Sequence, residues 1–94
     1  MKKPIYSILD RVTKAYSQPF FAINDDDAKR ALSIAVNDPQ SGNLFMHPDD
    51  FTLYRVGFFN DEQENPEIIT PELPICFITH CASLVVKTST TEEI

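Results

Sequence analysis

Glycine is nearly absent from this 94-residue chain, with Gly42 and Gly57 the only two. A loop that cradles phosphate through backbone N–H groups needs several glycines close together, so a glycine-rich nucleotide site is excluded. Cysteine is as sparse: Cys76 and Cys81 alone make no disulfide framework, and a reducing cytoplasm is the simpler setting. No apolar run approaches the roughly 20 residues of a helical membrane span; the stretch 82–86 is already interrupted by Ser83. The charged start, Met1 to Ser7, leads into no apolar segment, so no secretory signal is expected. Basic residues are outnumbered, eight against 14 acidic ones, giving a net charge of −6. That balance disfavours binding nucleic acid over the whole surface, because phosphate affinity rests on accumulated positive charge. Tryptophan is missing, yet seven Phe, three Tyr and 43% hydrophobic residues supply enough apolar material for a folded domain. The length allows one such domain, expected over residues 1–86, with 87–94 a Thr-rich flexible tail.

The first 23 residues read as a β-hairpin. Tyr6, Ile8 and Val12 share one alternation and form its expected buried face, while Phe20 to Ile23 is the returning strand. Lys14 to Gln18 is the expected turn, and Pro19 suits the entry to a strand. Asn24 is a good helix N-cap, and Asp25, Asp26 and Asp27 sit where the helix dipole favours negative charge. Ala28, Ala31, Leu32, Ala35 and Val36 then follow a helical stripe, and Pro39 sets the stop, so residues 25–37 are expected to be helix. Residues 40–50 hold two turn signals and read as a loop. Phe51 to Phe59 is the best strand, with Phe51, Leu53 and Phe59 on one face and Tyr54, Val56 and Phe58 on the other. Two apolar faces imply a central strand, or one face closed by a partner. An acidic turn, 60–66, precedes a short strand at 67–69. Pro71 and Pro74 then mark a link that cannot be helical, and 75–86 is apolar with strand and helix equally compatible. The expected fold is a small α+β domain, an antiparallel sheet of about four strands with one helix packed on one face.

Catalytic or metal chemistry finds little to stand on. Cys76, His80 and Cys81 lack the paired spacing of a zinc site, and His47 before Pro48 reads as a turn residue. The three aspartates lack the alternation and glycine of a calcium loop and are explained by capping. A non-enzymatic protein without metal or cofactor is therefore expected.

Charge is distributed unevenly. Residues 1–23 carry four basic side chains against Asp10, a balance of +3, while residues 24–94 carry four against 13 acids, a balance of −9. Lys2, Lys3, Arg11, Lys14 and Tyr16 are thus the candidate contacts for single-stranded nucleic acid or a protein partner. Tyr54, Val56 and Phe58 are the candidate self-association residues, since an uncovered apolar strand face favours a homodimer.

The order Ile8-Leu9-Asp10-Arg11-Val12, Pro19-Phe20-Phe21-Ala22, Asn24-Asp25 and Ala28-Lys29-Arg30-Ala31 resembles the small nonstructural protein of gokushoviruses, single-stranded DNA phages of the microvirus family. His47-Pro48-Asp49-Asp50-Phe51-Thr52-Leu53-Tyr54 with Gly57 is similar to a second block of that family. The resemblance covers residues 5–60 well and the rest loosely. It implies an accessory role in viral DNA replication, in the switch to single-stranded genome synthesis and packaging. It further implies a viral or host replication protein as partner and a place in the host cell cytoplasm. No catalytic residues come with it.

Overall fold

The computed structural model describes residues 2–62, 64 and 67–86, so the expected tail 87–94 lies outside the described residues. The β-forming amino-terminal segment becomes strand β1 (Lys2–Asp10), followed by the two-residue strands β2 (Ala15–Tyr16) and β3 (Phe20–Phe21). Helix α1 (Asp25–Val36) and a short helix α2 (Asn43–Met46) lead to β4 (Phe51–Asn60) and β5 (Ile69–His80). The result is α+β: an antiparallel five-stranded sheet with one main helix, in the order β2-β1-β4-β5, with β3 also pairing β1.

The hairpin forms, with its turn earlier than expected. Asp10 rather than a glycine makes it: its Oδ1 accepts from the Val12 N–H at 3.0 Å, and its carbonyl accepts from Lys14 N–H at 2.7 Å. Lys14 closes the turn at φ 61°, so Ala15 and Tyr16 are strand and not turn. Val12, expected inside, is 68% exposed because it sits in that turn. Ser17 then interrupts the returning strand. Its hydroxyl accepts from the Ile8 N–H at 3.0 Å, and its carbonyl accepts from the hydroxyl of buried Ser7 at 2.8 Å. The side chain thereby takes the place of a ladder bond.

Helix α1 begins as its sequence dictates. Asn24 Oδ1 accepts from the Asp27 N–H at 2.8 Å, and Asp27 Oδ2 accepts from the Ile23 N–H at 3.1 Å. At the other end Asn37 caps the helix, donating to Ser33 O at 2.7 Å and Leu84 O at 3.0 Å while accepting from Val86 N–H at 2.9 Å. The buried stripe is narrower than the periodicity suggested: Ala28, Leu32 and Val36 are buried and Ala31 is exposed. These three pack with Tyr6, Leu53 and Cys81 as the core, with Ile8, Phe20, Phe51, Ile78 and Leu84 around it. Each fully buried large aliphatic in that set contributes about 1.5–3 kcal/mol. The segment 40–50, expected as loop, is three short helical turns, Pro39–Ser41, Asn43–Met46 and Pro48–Asp50, with Leu44 packed against the core. The undecided segment 75–86 divides: strand to His80, then a 3-10 turn over Cys81–Leu84 that buries Cys81 under the helix.

Strand β4 is central, as expected, but it is not regular. Ile5 pairs with Gly57 and Tyr6 with Arg55, so Val56 is one residue too many for β1. A bulge of this kind reverses the alternation beyond it. Phe58 consequently lies on the helix side, 5.4 Å from the Arg55 guanidinium, and Phe59 on the opposite side, 5.7 Å from the Phe21 ring. The two residues have exchanged the faces assigned to them by simple alternation. On the other flank Arg55 pairs with Cys76 and Gly57 with Pro71, leaving Glu72–Ile75 opposite Val56 alone. Pro71 and Pro74 thus lie within a strand, at the sheet edge where a missing N–H is tolerated.

Gly57 holds the two irregularities together. A Cβ there would stand 2.7 Å from Thr70 O, a backbone atom that cannot swing aside. The Gly57→Ala variant is expected to lose about 1–3 kcal/mol of stability through this overpacking. A urea midpoint equal to that of the parent protein would show that β4 and β5 do not approach so closely.

Candidate functional site

In an antiparallel sheet, directly opposed residues share a face. On the helix side the cross-strand rows hold Tyr6 with Phe20 and Arg55, then Ile8 with Leu53. The opposite side presents four rows: Lys3 with Phe59; Ile5 with Gly57 and Phe21; Ser7 with Tyr54 and Phe77; and Leu9 with Tyr16, Thr52 and His80. None of these residues carries a carboxylate. The rings on this side contact one another across strands, Tyr16 to Tyr54 at 6.4 Å, Tyr54 to Phe77 at 6.2 Å and Phe77 to His80 at 4.9 Å. Tyr16, Phe21 and Phe77 are each more than half exposed, at 51%, 58% and 51%. A hollow of about 310 Å³ lined by Ser7, Tyr16, Ser17, Pro19, Val56 and Ile75 lies among these rows. This aromatic face, uncovered among the described residues, is the candidate functional site. Its rings offer flat apolar surface with little rotamer entropy to lose, which suits them to binding.

The residues singled out in the sequence are partly brought together here. Tyr16, Tyr54 and Val56 meet on the open face, whereas Phe58 does not join them. The four basic residues do not converge: Lys2 and Lys3 start β1, Arg11 and Lys14 follow its end, and nine residue steps at about 3.3 Å put roughly 30 Å between the two pairs. Lys2 lies 5.6 Å over Phe58, while Lys3 lies 6.0 Å over Phe59 and 3.4 Å from Asp61. Both lysines border a groove of about 500 Å³ lined also by Pro4, Phe21, Ala22, Ile23 and Asp27. Arg11 and Lys14 stand exposed at the opposite end.

A cluster missed by the sequence reading holds the helix to the sheet. Arg55 Nη1 donates to both oxygens of Asp25 at 3.1 Å, and its Nε and Nη2 donate to Glu72 at 2.7 and 3.0 Å. Tyr6 adds a hydroxyl donated to Asp25 Oδ1 at 2.6 Å. Burial and that hydrogen bond raise the Tyr6 pKa well above its ordinary value, so it remains a neutral donor. Asp25 is therefore more than a dipole partner: it joins α1 to β1 and β4. The signal in the sequence was Arg55 itself, one charge in an otherwise uncharged ten-residue strand. Such a guanidinium, only 24% exposed, needs carboxylates nearby.

Asp26, Asp27 and His80 have structural partners. Asp27 caps the helix start, Asp26 pairs loosely with Lys29 at 3.9 Å, and His80 Nδ1 lies 3.2 Å from Thr52 Oγ1. Burial pushes the Cys81 thiol up to about 11, which suits it to packing and not to nucleophilic attack. Cys76 is half-buried and free. Among the described residues no three His, Cys, Asp or Glu side chains are grouped to hold a metal ion. No described helix is long and apolar enough to cross a membrane.

The bidentate bond from Arg55 holds the Glu72 carboxyl below its usual value of 4.5. A depressed folded-state pKa adds stability above the unfolded value, and that stability is lost as pH falls through the folded one. Acid unfolding below about pH 4.5 is therefore expected to be less steep in Glu72→Gln, as read by circular dichroism. Arg55→Met, which leaves Asp25 and Glu72 without their donor, is expected to cost about 1–3 kcal/mol at neutral pH. An Arg55→Met variant as stable as the parent would show that the cluster does not hold helix to sheet.

A family model described as Phage ORF5 protein matches residues 3–82. No curated protein and no solved structure matches the chain.

Proposed function

The chain belongs to the Phage ORF5 protein family, which makes it a bacteriophage protein, and on that premise we propose a non-enzymatic accessory role in viral DNA replication. The protein docks on the replication complex, a viral or host replication protein, and serves the switch to single-stranded genome synthesis and packaging. The resemblance of residues 5–60 to the gokushovirus nonstructural protein supports the viral process. The open sheet face carries the docking. It gathers Tyr16, Phe21, Tyr54, Phe59 and Phe77 on cross-strand rows without a carboxylate, on a chain whose net charge is −6. On the helix side Asp25 and Glu72 are bound to Arg55 and Asp27 caps α1, while Asp61 stands beside Lys3 at one end of the open face. Such a partition suits an interface with an apolar centre, and the surrounding acidic charge steers the protein toward a basic partner.

The cross-strand rings favour a second reading, direct binding of single-stranded DNA. Stacked bases are held by aromatic faces, and the two basic pairs at the ends of β1 would meet backbone phosphates. The wide separation of those pairs means few phosphate contacts at once, which is why protein docking is the better supported of the two.

Titrating labelled oligo(dT), and separately the purified phage replication initiator, against the protein distinguishes these readings. Docking predicts that the initiator binds and that Phe77→Ala weakens it by tenfold or more, with no oligonucleotide binding at physiological salt. Direct DNA binding predicts oligonucleotide affinity that falls with salt and that Tyr16→Ala or Phe77→Ala reduces by about 1–3 kcal/mol per lost stack. Binding of neither ligand, or Phe77→Ala binding like the parent, would remove the face from the account.

A further inference from the structure

The hollow in the open face has a chemistry of its own. It forms where two irregularities of the sheet meet: Val56 is one residue too many for β1, and Glu72–Ile75 stand opposite Val56 alone. The small residues Ser7 and Gly57 belong to the adjoining rows, so little side-chain volume fills the gap. About 310 Å³ is left, lined by Ser7, Tyr16, Ser17, Pro19, Val56 and Ile75. No charged residue lines it, and its lining surface is almost wholly carbon. Both serine hydroxyls are spent on the chain itself. Ser7 Oγ donates to Ser17 O at 2.8 Å, while Ser17 Oγ accepts from the Ile8 N–H at 3.0 Å and donates to Gln18 O at 3.2 Å. A polar group entering the hollow would give up water and find almost nothing to bond in exchange.

We infer that this hollow is the anchor seat of the docking interface, and that it takes one phenylalanine or leucine side chain of the protein partner. The inference rests on the proposed docking at the open face and names the group that docks there. Volume sets the size of the occupant. Cavities for whole small molecules run from about 300 to 1,000 Å³, so a hollow at the foot of that range has room for one large side chain. The lining sets its chemistry. Tyrosine and tryptophan carry an O–H or N–H that needs a partner once buried, and a nucleobase carries several such groups, whereas phenylalanine and leucine carry none. Position sets its weight. Tyr16 both lines the hollow and meets the Tyr54 ring at 6.4 Å, so the seat is continuous with the aromatic strip. Binding energy concentrates where one anchor fills such a pocket and the surrounding rings exclude water.

Toluene, p-cresol and 1-methylcytosine stand for the side chain of phenylalanine, that of tyrosine and a nucleobase. Each is titrated into the full chain while the methyl signals of Val56 and Ile75 are followed by NMR. Toluene is expected to shift both saturably and to leave Leu32 and Val36 of the core unmoved. The p-cresol hydroxyl should weaken binding by about fivefold or more, and 1-methylcytosine should not bind. Ile75→Asp, a change at a half-buried site, should abolish the toluene shifts with an unchanged far-ultraviolet spectrum. It should also weaken binding of the replication initiator by about tenfold or more. No toluene shift at Val56 and Ile75 overturns the inference, and so does p-cresol or 1-methylcytosine binding as tightly as toluene. An Ile75→Asp variant that binds the initiator like the parent, while Phe77→Ala weakens it, overturns the seat and leaves docking at the open face standing. Toluene seated as expected, with no initiator binding to the parent protein, contradicts the proposed partner and still supports an apolar seat. If Ile75→Asp does not fold, competition decides: saturating toluene must weaken the initiator's binding to the parent protein, and undiminished binding overturns the inference.

Discussion

A single helix of 12 residues, about 18 Å long, can cover one face of a five-stranded sheet and no more. Everything else in the structure follows from that shortage of cover. The helix is committed to the side bearing Tyr6 and Leu53, and Arg55 commits it by engaging Asp25 in its first turn and Glu72 across β5. The helical turns of 39–50 and the 3-10 turn at Cys81–Leu84 close the rim of the same side. Among the described residues the opposite side is left with aromatic rings and no second layer. In a small domain that is costly surface to expose, and it is the natural place to look for what the protein binds.

The charge distribution acquires its meaning from this arrangement. Read along the chain, the basic amino-terminal segment and the acidic remainder suggest one positively charged end. Read on the sheet, the four basic residues separate into pairs at opposite ends of β1, and two of the acids are consumed by Arg55. What remains is an aromatic strip with a little positive charge at each end and acidic surroundings. That geometry is better matched to a folded partner than to a long polyanion, although a short single strand could lie along it.

Much of the fold was legible because local signals were strong. Asn24 and the aspartates after it, followed by Ala28, Leu32 and Val36, fix the helix with little help from the rest of the protein. The density of β-formers likewise marks β1 and β4. Face assignment failed where it depended on one inserted residue. The Val56 bulge moves Phe58 to the helix side and Phe59 to the open side, and the apolar alternation of β4 does not announce it. Gly57 was the available clue, since a glycine inside a strand marks a bulge or a close backbone approach. The Arg55 cluster was hidden for a different reason. Its partners are 30 residues before and 17 after it, and only the register of three strands and a helix brings them into contact. Cys81 and His80 show the same limit, since one is buried and its neighbour exposed only because the strand ends between them.

The account rests on the open sheet face being where the protein binds. Hydroxyl-radical footprinting, read by mass spectrometry on the purified protein alone and after mixing with extract of phage-infected cells, addresses this directly. The account predicts that Tyr16, Phe21, Tyr54 and Phe77 react in the free protein and lose reactivity together in the extract, while exposed Ile34 on α1 is unchanged. Protection of Ile34 and the helix side, with the four aromatic residues as reactive as before, would contradict it.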